Sequence, residues 1–117
     1  MYDENNIFAK IIRGEIPCDK VYEDDDVLFF YDINPVAKIH VLGIPKTPYV
    51  DFSDFVSRND ERVVSQFFKK TETVIHKLGI KNNGYKIISN SGNNGGQEVP
   101  HFHIHILGGE KLEHQRH

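Results

Sequence analysis

Histidines stand at alternate positions in His101-Phe102-His103-Ile104-His105, and one regular backbone keeps such a set together. In a β-strand successive side chains point to opposite faces, and the chain rises about 3.3 Å per residue. The three imidazoles then project from one face, roughly 6.6 Å from one to the next. Phe102, Ile104 and Ile106 project from the other. A helix would scatter the histidines, because residues two apart do not share a helical face. Pro100 opens the segment and Gly108-Gly109 closes it, as strand boundaries do. The apolar half predicts a strand packed on a core; the histidine half predicts a polar site in a shallow cleft.

The rest of the chain narrows what such a site serves. With 117 residues it reads as a single domain over 1–117, with an ordered core over about 5–110 and a polar tail over 111–117. A net charge of -3 leaves no basic surplus, so bulk electrostatics give no support for nucleic-acid binding. No apolar run approaches the ~20 residues of a membrane span. The first six residues are polar and partly acidic, unlike a signal peptide. The one cysteine, Cys18, cannot form an intramolecular disulfide, which fits the cytoplasm.

Asn5-Asn6 can cap a short helix bearing Ile7, Phe8, Ile11 and Ile12, with Gly14 as its stop. Val21 to Glu23 and Val27 to Ile33 read as strands joined by the acidic turn Asp24-Asp25-Asp26, and Ile39 to Ile44 as a third. From about Asp60 to Leu78 the spacing predicts a long helix, whose Val63, Val64, Phe67, Phe68, Val74, Ile75 and Leu78 cover an arc of ~140°. Its His76 falls off that arc, towards solvent. Gly84 to Asn90 is a fourth strand, ahead of the histidine strand. The fold class is α+β, a mainly antiparallel sheet with one long and one short helix.

The loop Asn90-Ser91-Gly92-Asn93-Asn94-Gly95-Gly96-Gln97-Glu98 leads into the histidines. Its glycines allow backbone N–H groups to face an anion, although it is neither a P-loop nor a dinucleotide fingerprint. A neutral imidazole can attack phosphorus while its neighbours donate hydrogen bonds to phosphoryl oxygens. His40 can orient one of the imidazoles, and Asp32, ending an apolar strand, can take two ribose hydroxyls. Alternate strand histidines can also ligate zinc, and spacing alone leaves that reading open.

His101 to Leu107 resembles the signature of the histidine triad family. The likeness extends through Ile7-Phe8, Lys10-Ile11-Ile12, Glu15-Ile16-Pro17, Tyr22-Glu23-Asp24-Asp25, Asp32-Ile33, His40, Ile44-Pro45-Lys46, Gly95-Gly96-Gln97 and Gly108-Gly109. These blocks look like the nucleotide-binding branch that hydrolyses purine nucleoside phosphoramidates. The resemblance implies that His103 is the nucleophile, forming a nucleotidyl-histidine and expelling an amine. His105 and His101 would hold the phosphoryl oxygens and the nucleophile's tautomer, with His40 behind them. Asp32 would bind the ribose, and Ile7, Phe8, Ile11, Phe30 and Ile33 would form the purine slot. Asn90, Gly96, Gln97 and Glu98 would line the phosphate and leaving-group side.

Animal members carry serine where this chain has Glu98. A carboxylate beside the phosphate would point away, act as an acid or favour cationic leaving groups. Some bacterial members bind zinc through cysteines flanking the Ile-Phe pair. Here those positions are Asn6 and Ala9, so no metal and no cofactor are expected. The resemblance also implies a homodimer with the sheet extended across it. In that arrangement Val63, Val74 and Leu78 would meet the sheet, while Val64, Phe68 and Ile75 meet the second copy. Other readings are a dinucleoside polyphosphate hydrolase, a nucleotide-binding regulator with little catalysis, and the metal site.

Overall fold

The computed structural model describes residues 1–112, so most of the expected polar tail, including His114 and His117, lies outside the described residues. Its elements run α1 (Ile7–Ile12), β1 (Lys20–Glu23), β2 (Val27–Tyr31), β3 (Ile39–Pro45), α2 (Phe52–Ser57), α3 (Glu61–Leu78), β4 (Tyr85–Ile88) and β5 (Ile104–Gly108). The strands form one antiparallel sheet in the order β1-β2-β3-β5-β4. No helix among the described residues is long and apolar enough to cross a membrane.

The helix ends follow their caps. Asn6 accepts a hydrogen bond from the Ala9 N–H at the start of α1, and Asp60 accepts one from the Val63 N–H at the start of α3. Gly79 ends α3 at φ 74°, a left-handed geometry that glycine adopts without penalty. The acidic turn is a structural hairpin: Asp24 Oδ1 accepts from the N–H groups of Asp26 and Val27.

Both faces of the sheet are covered. On one, Phe29, Val41, Phe102, Ile104 and Ile106 pack with Phe55 of α2 and Phe67, Val74 and Ile75 of α3. On the other, Phe8 of α1 covers Leu28, Phe30, Leu42 and Ile44. This is why β2 reads as a continuous apolar run rather than an alternating one. Gly43, paired with Phe29, makes room for that ring across β3; a Cβ there would overlap it.

The structure corrects four expectations. β2 stops at Tyr31, leaving Asp32 and Ile33 in the turn to β3, where the Asp32 N–H donates to the His40 carbonyl at 2.9 Å. A second short helix, α2, lies between Pro48 and Asp60, so the chain has one long and two short helices among its described residues. Asp51 caps it by accepting from the Asp54 N–H, and its buried Phe55 stacks on Phe102 with centroids 4.8 Å apart. On α3, Val63 is exposed while Ile75 is buried in the chain's own core, the reverse of the expected division.

The fourth correction concerns the histidines. β5 begins at Ile104, so His101 and His103 precede the ladder. The register pairs Gly43 with Ile104 and would bring Phe102 opposite Pro45, which has no N–H to donate. The ladder ends there, and the Phe102 N–H donates to the Tyr49 carbonyl at 2.7 Å.

Candidate active site

His101, His103 and His105 still share one side of the chain. Phe8 meets the His101 and His103 rings edge to face at 6.2 and 4.9 Å, and the His103 and His105 centroids lie 5.1 Å apart. His101 is fully buried. Its Nε2–H donates to the Pro45 carbonyl at 2.7 Å, and the Tyr2 hydroxyl donates to its Nδ1 at 2.6 Å. Burial lowers its pKa to about 4, against a smaller upward pull from the Pro45 carbonyl, so the ring is neutral.

The backbone carbonyl of His101 in turn accepts the Nδ1–H of His103 at 2.7 Å. That bond assigns the tautomer: the proton sits on Nδ1 and the lone pair on Nε2, at the other edge of the ring. Burial holds the His103 pKa below the ordinary histidine value. The His101 carbonyl and the charges of Asp32 and Glu98 pull it partly back. The residue is an imidazole with its proton engaged on Nδ1 and an unprotonated Nε2.

A second chain of bonds fixes His105. β3 and β5 pair Leu42 with His105 and His40 with Leu107, which makes His40 and His105 diagonal neighbours on one face. The Val36 N–H donates to His40 Nδ1 at 3.1 Å, so the His40 proton is on Nε2. That Nε2 lies 2.9 Å from His105 Nδ1 and 3.3 Å from Asp32 Oδ2. His105 Nδ1 is therefore an acceptor, and its own proton is on Nε2. Asp32 is held by the Asn34 N–H, which donates to Oδ1 at 2.8 Å. Asp32, His40 and His105 bring ligand-type atoms within 4.8 Å of one another. A cation at these atoms would take the place of the His40 proton.

These groups face a cleft of about 1120 Å³. Ile7, Phe8, Ile11, Phe30, Asp32, Ile33, His40, Asn90, Gly96, Glu98, His103 and His105 all line it, as do Ile16, Pro17, Cys18, Asp19, Val36 and Val99. Asp19, Asp32 and Glu98 bring carboxylates, and among the described residues no Lys or Arg lines it. Two expected site residues stand outside the lining. His101 contributes its carbonyl rather than its ring. Gln97 spends its amide on the loop: Nε2 donates to the Val50 and Val99 carbonyls at 2.7 and 3.0 Å, and Oε1 accepts from the Gly92 N–H. Asn90 likewise donates to the Gly95 carbonyl at 2.8 Å.

The sequence pointed neither to Tyr2, 99 positions from its partner, nor to the backbone groups of Val36 and Pro45. Backbone partners carry no residue-type signal. Ile16-Pro17 did appear as part of a family block, without a role at the site.

Residues 13–112 match the model of the HIT domain. The chain is 49% identical over 111 residues to a 13.2 kDa HIT-like protein of Azospirillum brasilense, covering 95% of this chain and 91% of that one. It is 43% identical over 109 residues to the purine nucleoside phosphoramidase of Escherichia coli K12, covering 93% and 91%. Among solved structures it is similar to a histidine triad protein from Clostridium difficile, with a TM-score of 0.85 and 41% identity over 99% of this chain and 100% of that chain. Its fold and sequence together place this chain in the HIT domain family.

Proposed function

We propose that the protein hydrolyses the P–N bond of purine nucleoside 5'-phosphoramidates. His103 Nε2 attacks phosphorus, an N–P bond forms, and the P–N bond to the amine breaks. The amine leaves with the proton from His105 Nε2. Water then attacks the nucleotidyl-histidine, returns a proton to His105 and releases nucleoside monophosphate, restoring neutral His103. The observation that carries this reading is the paired tautomer assignment: a lone pair on His103 Nε2 and a proton on His105 Nε2, each fixed from behind. Ile7, Phe8, Ile11, Phe30 and Ile33 would form the purine slot, Asp32 would take the ribose hydroxyls, and Asn90, Gly96 and Glu98 would flank the phosphate. Gln97 would act through the loop it holds.

The charge of the cleft favours this substrate class over dinucleoside polyphosphates. A phosphoramidate monoester brings one negative charge, whereas a polyphosphate chain brings several beside three carboxylates, with no Lys or Arg among the described lining residues. No cofactor is needed for this chemistry.

A homodimer is part of the proposal. β4 is an edge strand whose exposed Tyr85 and Ile87 point to the same side of the sheet as α3, where Phe68 and Val63 are also exposed. Pairing β4 with its twin would remove the open edge and cover these side chains. The free thiol of Cys18 fits a cytoplasmic setting. To test the activity, adenosine 5'-phosphoramidate is mixed with the protein, quenched in alkali and analysed by mass spectrometry. The expected product is a nucleotidyl adduct on His103; AMP release with no adduct, or no AMP at all, would overturn the mechanism.

A further inference from the structure

The start of the chain reaches the histidine face from behind. Tyr2 O–H lies 2.6 Å from His101 Nδ1, and the two rings meet edge to face with centroids 5.6 Å apart. His101 is fully buried away from the cleft, so water cannot satisfy its nitrogens. The Pro45 carbonyl takes the proton on Nε2, which leaves Nδ1 needing a donor, and the Tyr2 hydroxyl is that donor. The cap of α1 holds the next residue along: Asn6 donates through both its backbone N–H and its side-chain amide to the Asp3 carbonyl, and the Asn5 N–H donates to Asp3 Oδ1.

We propose that Tyr2 is a positioning residue for the reaction, its hydroxyl locking the His101 ring and thereby the His101 carbonyl that holds the Nδ1 proton of His103. This rests on the reading of His103 as nucleophile. Without the hydroxyl, His101 keeps a buried acceptor with no donor, a state relieved by rotating the ring or exchanging its tautomer. Either change releases the Nε2–H from the Pro45 carbonyl and shifts the backbone at residue 101. His103 is then less firmly held with its proton on Nδ1, and the form protonated on Nε2 cannot attack phosphorus.

The test compares Tyr2→Phe with Tyr22→Phe. The control loses a hydroxyl of the same kind, carried on β1, which donates to Asp24 in the hairpin turn, and Tyr22 does not line the cleft. Long-range ¹H–¹⁵N NMR of the ligand-free protein reads the His103 tautomer, single-turnover mixing with adenosine 5'-phosphoramidate reads nucleotidyl transfer, and titration reads AMP affinity. In Tyr2→Phe the fraction of His103 protonated on Nε2 rises several-fold and transfer slows about tenfold, as expected for a misaligned nucleophile. AMP affinity stays within twofold, and Tyr22→Phe changes none of the three. An unchanged tautomer in Tyr2→Phe, or a slower transfer matched by an equal loss of AMP affinity, overturns the proposal. Because the tautomer is read without substrate, it decides the role of Tyr2 even if the wild type fails to form the adduct.

Discussion

Phe102 and His103 are adjacent, both are buried, and they project to opposite sides of the sheet. Phe102, with Ile104 and Ile106, joins a cluster held by area and ring stacking, without a directional bond to its side chain. His101 and His103 are enclosed to a similar degree, yet the bonds on their nitrogens dictate where each proton sits. Burial on the first face is mostly stabilisation. On the second it removes water as a competing partner, so a single carbonyl can set a tautomer. Equal exposure thus hides two different kinds of constraint, and substitutions separate them.

The sharpest separation comes from His103→Ala. Turnover should fall by roughly a thousandfold or more, while the thermal midpoint moves by only a few degrees and nucleotide binding stays measurable. Normal turnover in a steady-state assay would break the comparison outright. Phe102→Ala should do the opposite, costing about 3–5 kcal/mol of stability in a urea titration. Activity per folded molecule should change little; a tenfold loss among molecules still folded would mean that the faces are not separable.

Acid should act on the histidine face alone. The folded pKa of His101, about 4, lies below the ordinary 6.5, so the unfolded chain takes up the proton first. Its share of stability is therefore complete above about pH 6.5 and is lost as pH falls towards 4, to the extent of about 3 kcal/mol. Asp24, held near 2 chiefly by its Lys70 partner and backbone donors against the opposing pull of burial, gives way only at lower pH. Urea titrations between pH 7.5 and 4.5 should show the slope, and His101→Gln should flatten it. The acid limb of activity should likewise lie below the usual histidine range, since burial lowers His103 too.

The smallest effect belongs to Glu98, exposed at the rim of the cleft. Glu98→Ser should reduce the rate ratio of cationic to neutral amine leaving groups by about two- to fivefold, the size of an exposed charge pair. A ratio that stays constant would mean that the carboxylate does not face the leaving group.

How much of this was legible beforehand depended on whether the information was local. The alternation at His101–His105 correctly put the imidazoles opposite Phe102 and Ile106, because side-chain direction follows from backbone type. The Asn5-Asn6 cap of the first helix was readable for the same reason, with Asn6 the residue that makes the bond. Where β5 begins was not readable, since it depends on Pro45 being the residue that arrives opposite Phe102. α2 escaped because its six residues complete too few turns to set up a period, and its stability comes from Phe55 reaching Phe67 and Phe102. The roles of His101 and Gln97 could be assigned to the site's neighbourhood but not to an atom, because a ring and a backbone carbonyl of the same residue look identical in sequence.

The connection between β2 and β3 grips His40 at both ring nitrogens, through the Val36 N–H on one side and the Asp32 carboxylate on the other. On the proposed reading, the same carboxylate also receives the ribose. The sugar would then be an input to the chemistry and not merely a handle for the enzyme. Any hydroxyl that draws on Asp32 changes what His40 Nε2 feels, and so changes the proton that His105 offers to the departing amine. A minimal phosphoramidate with no sugar could enter the cleft freely and still be cleaved slowly, having filled the space without setting the acid.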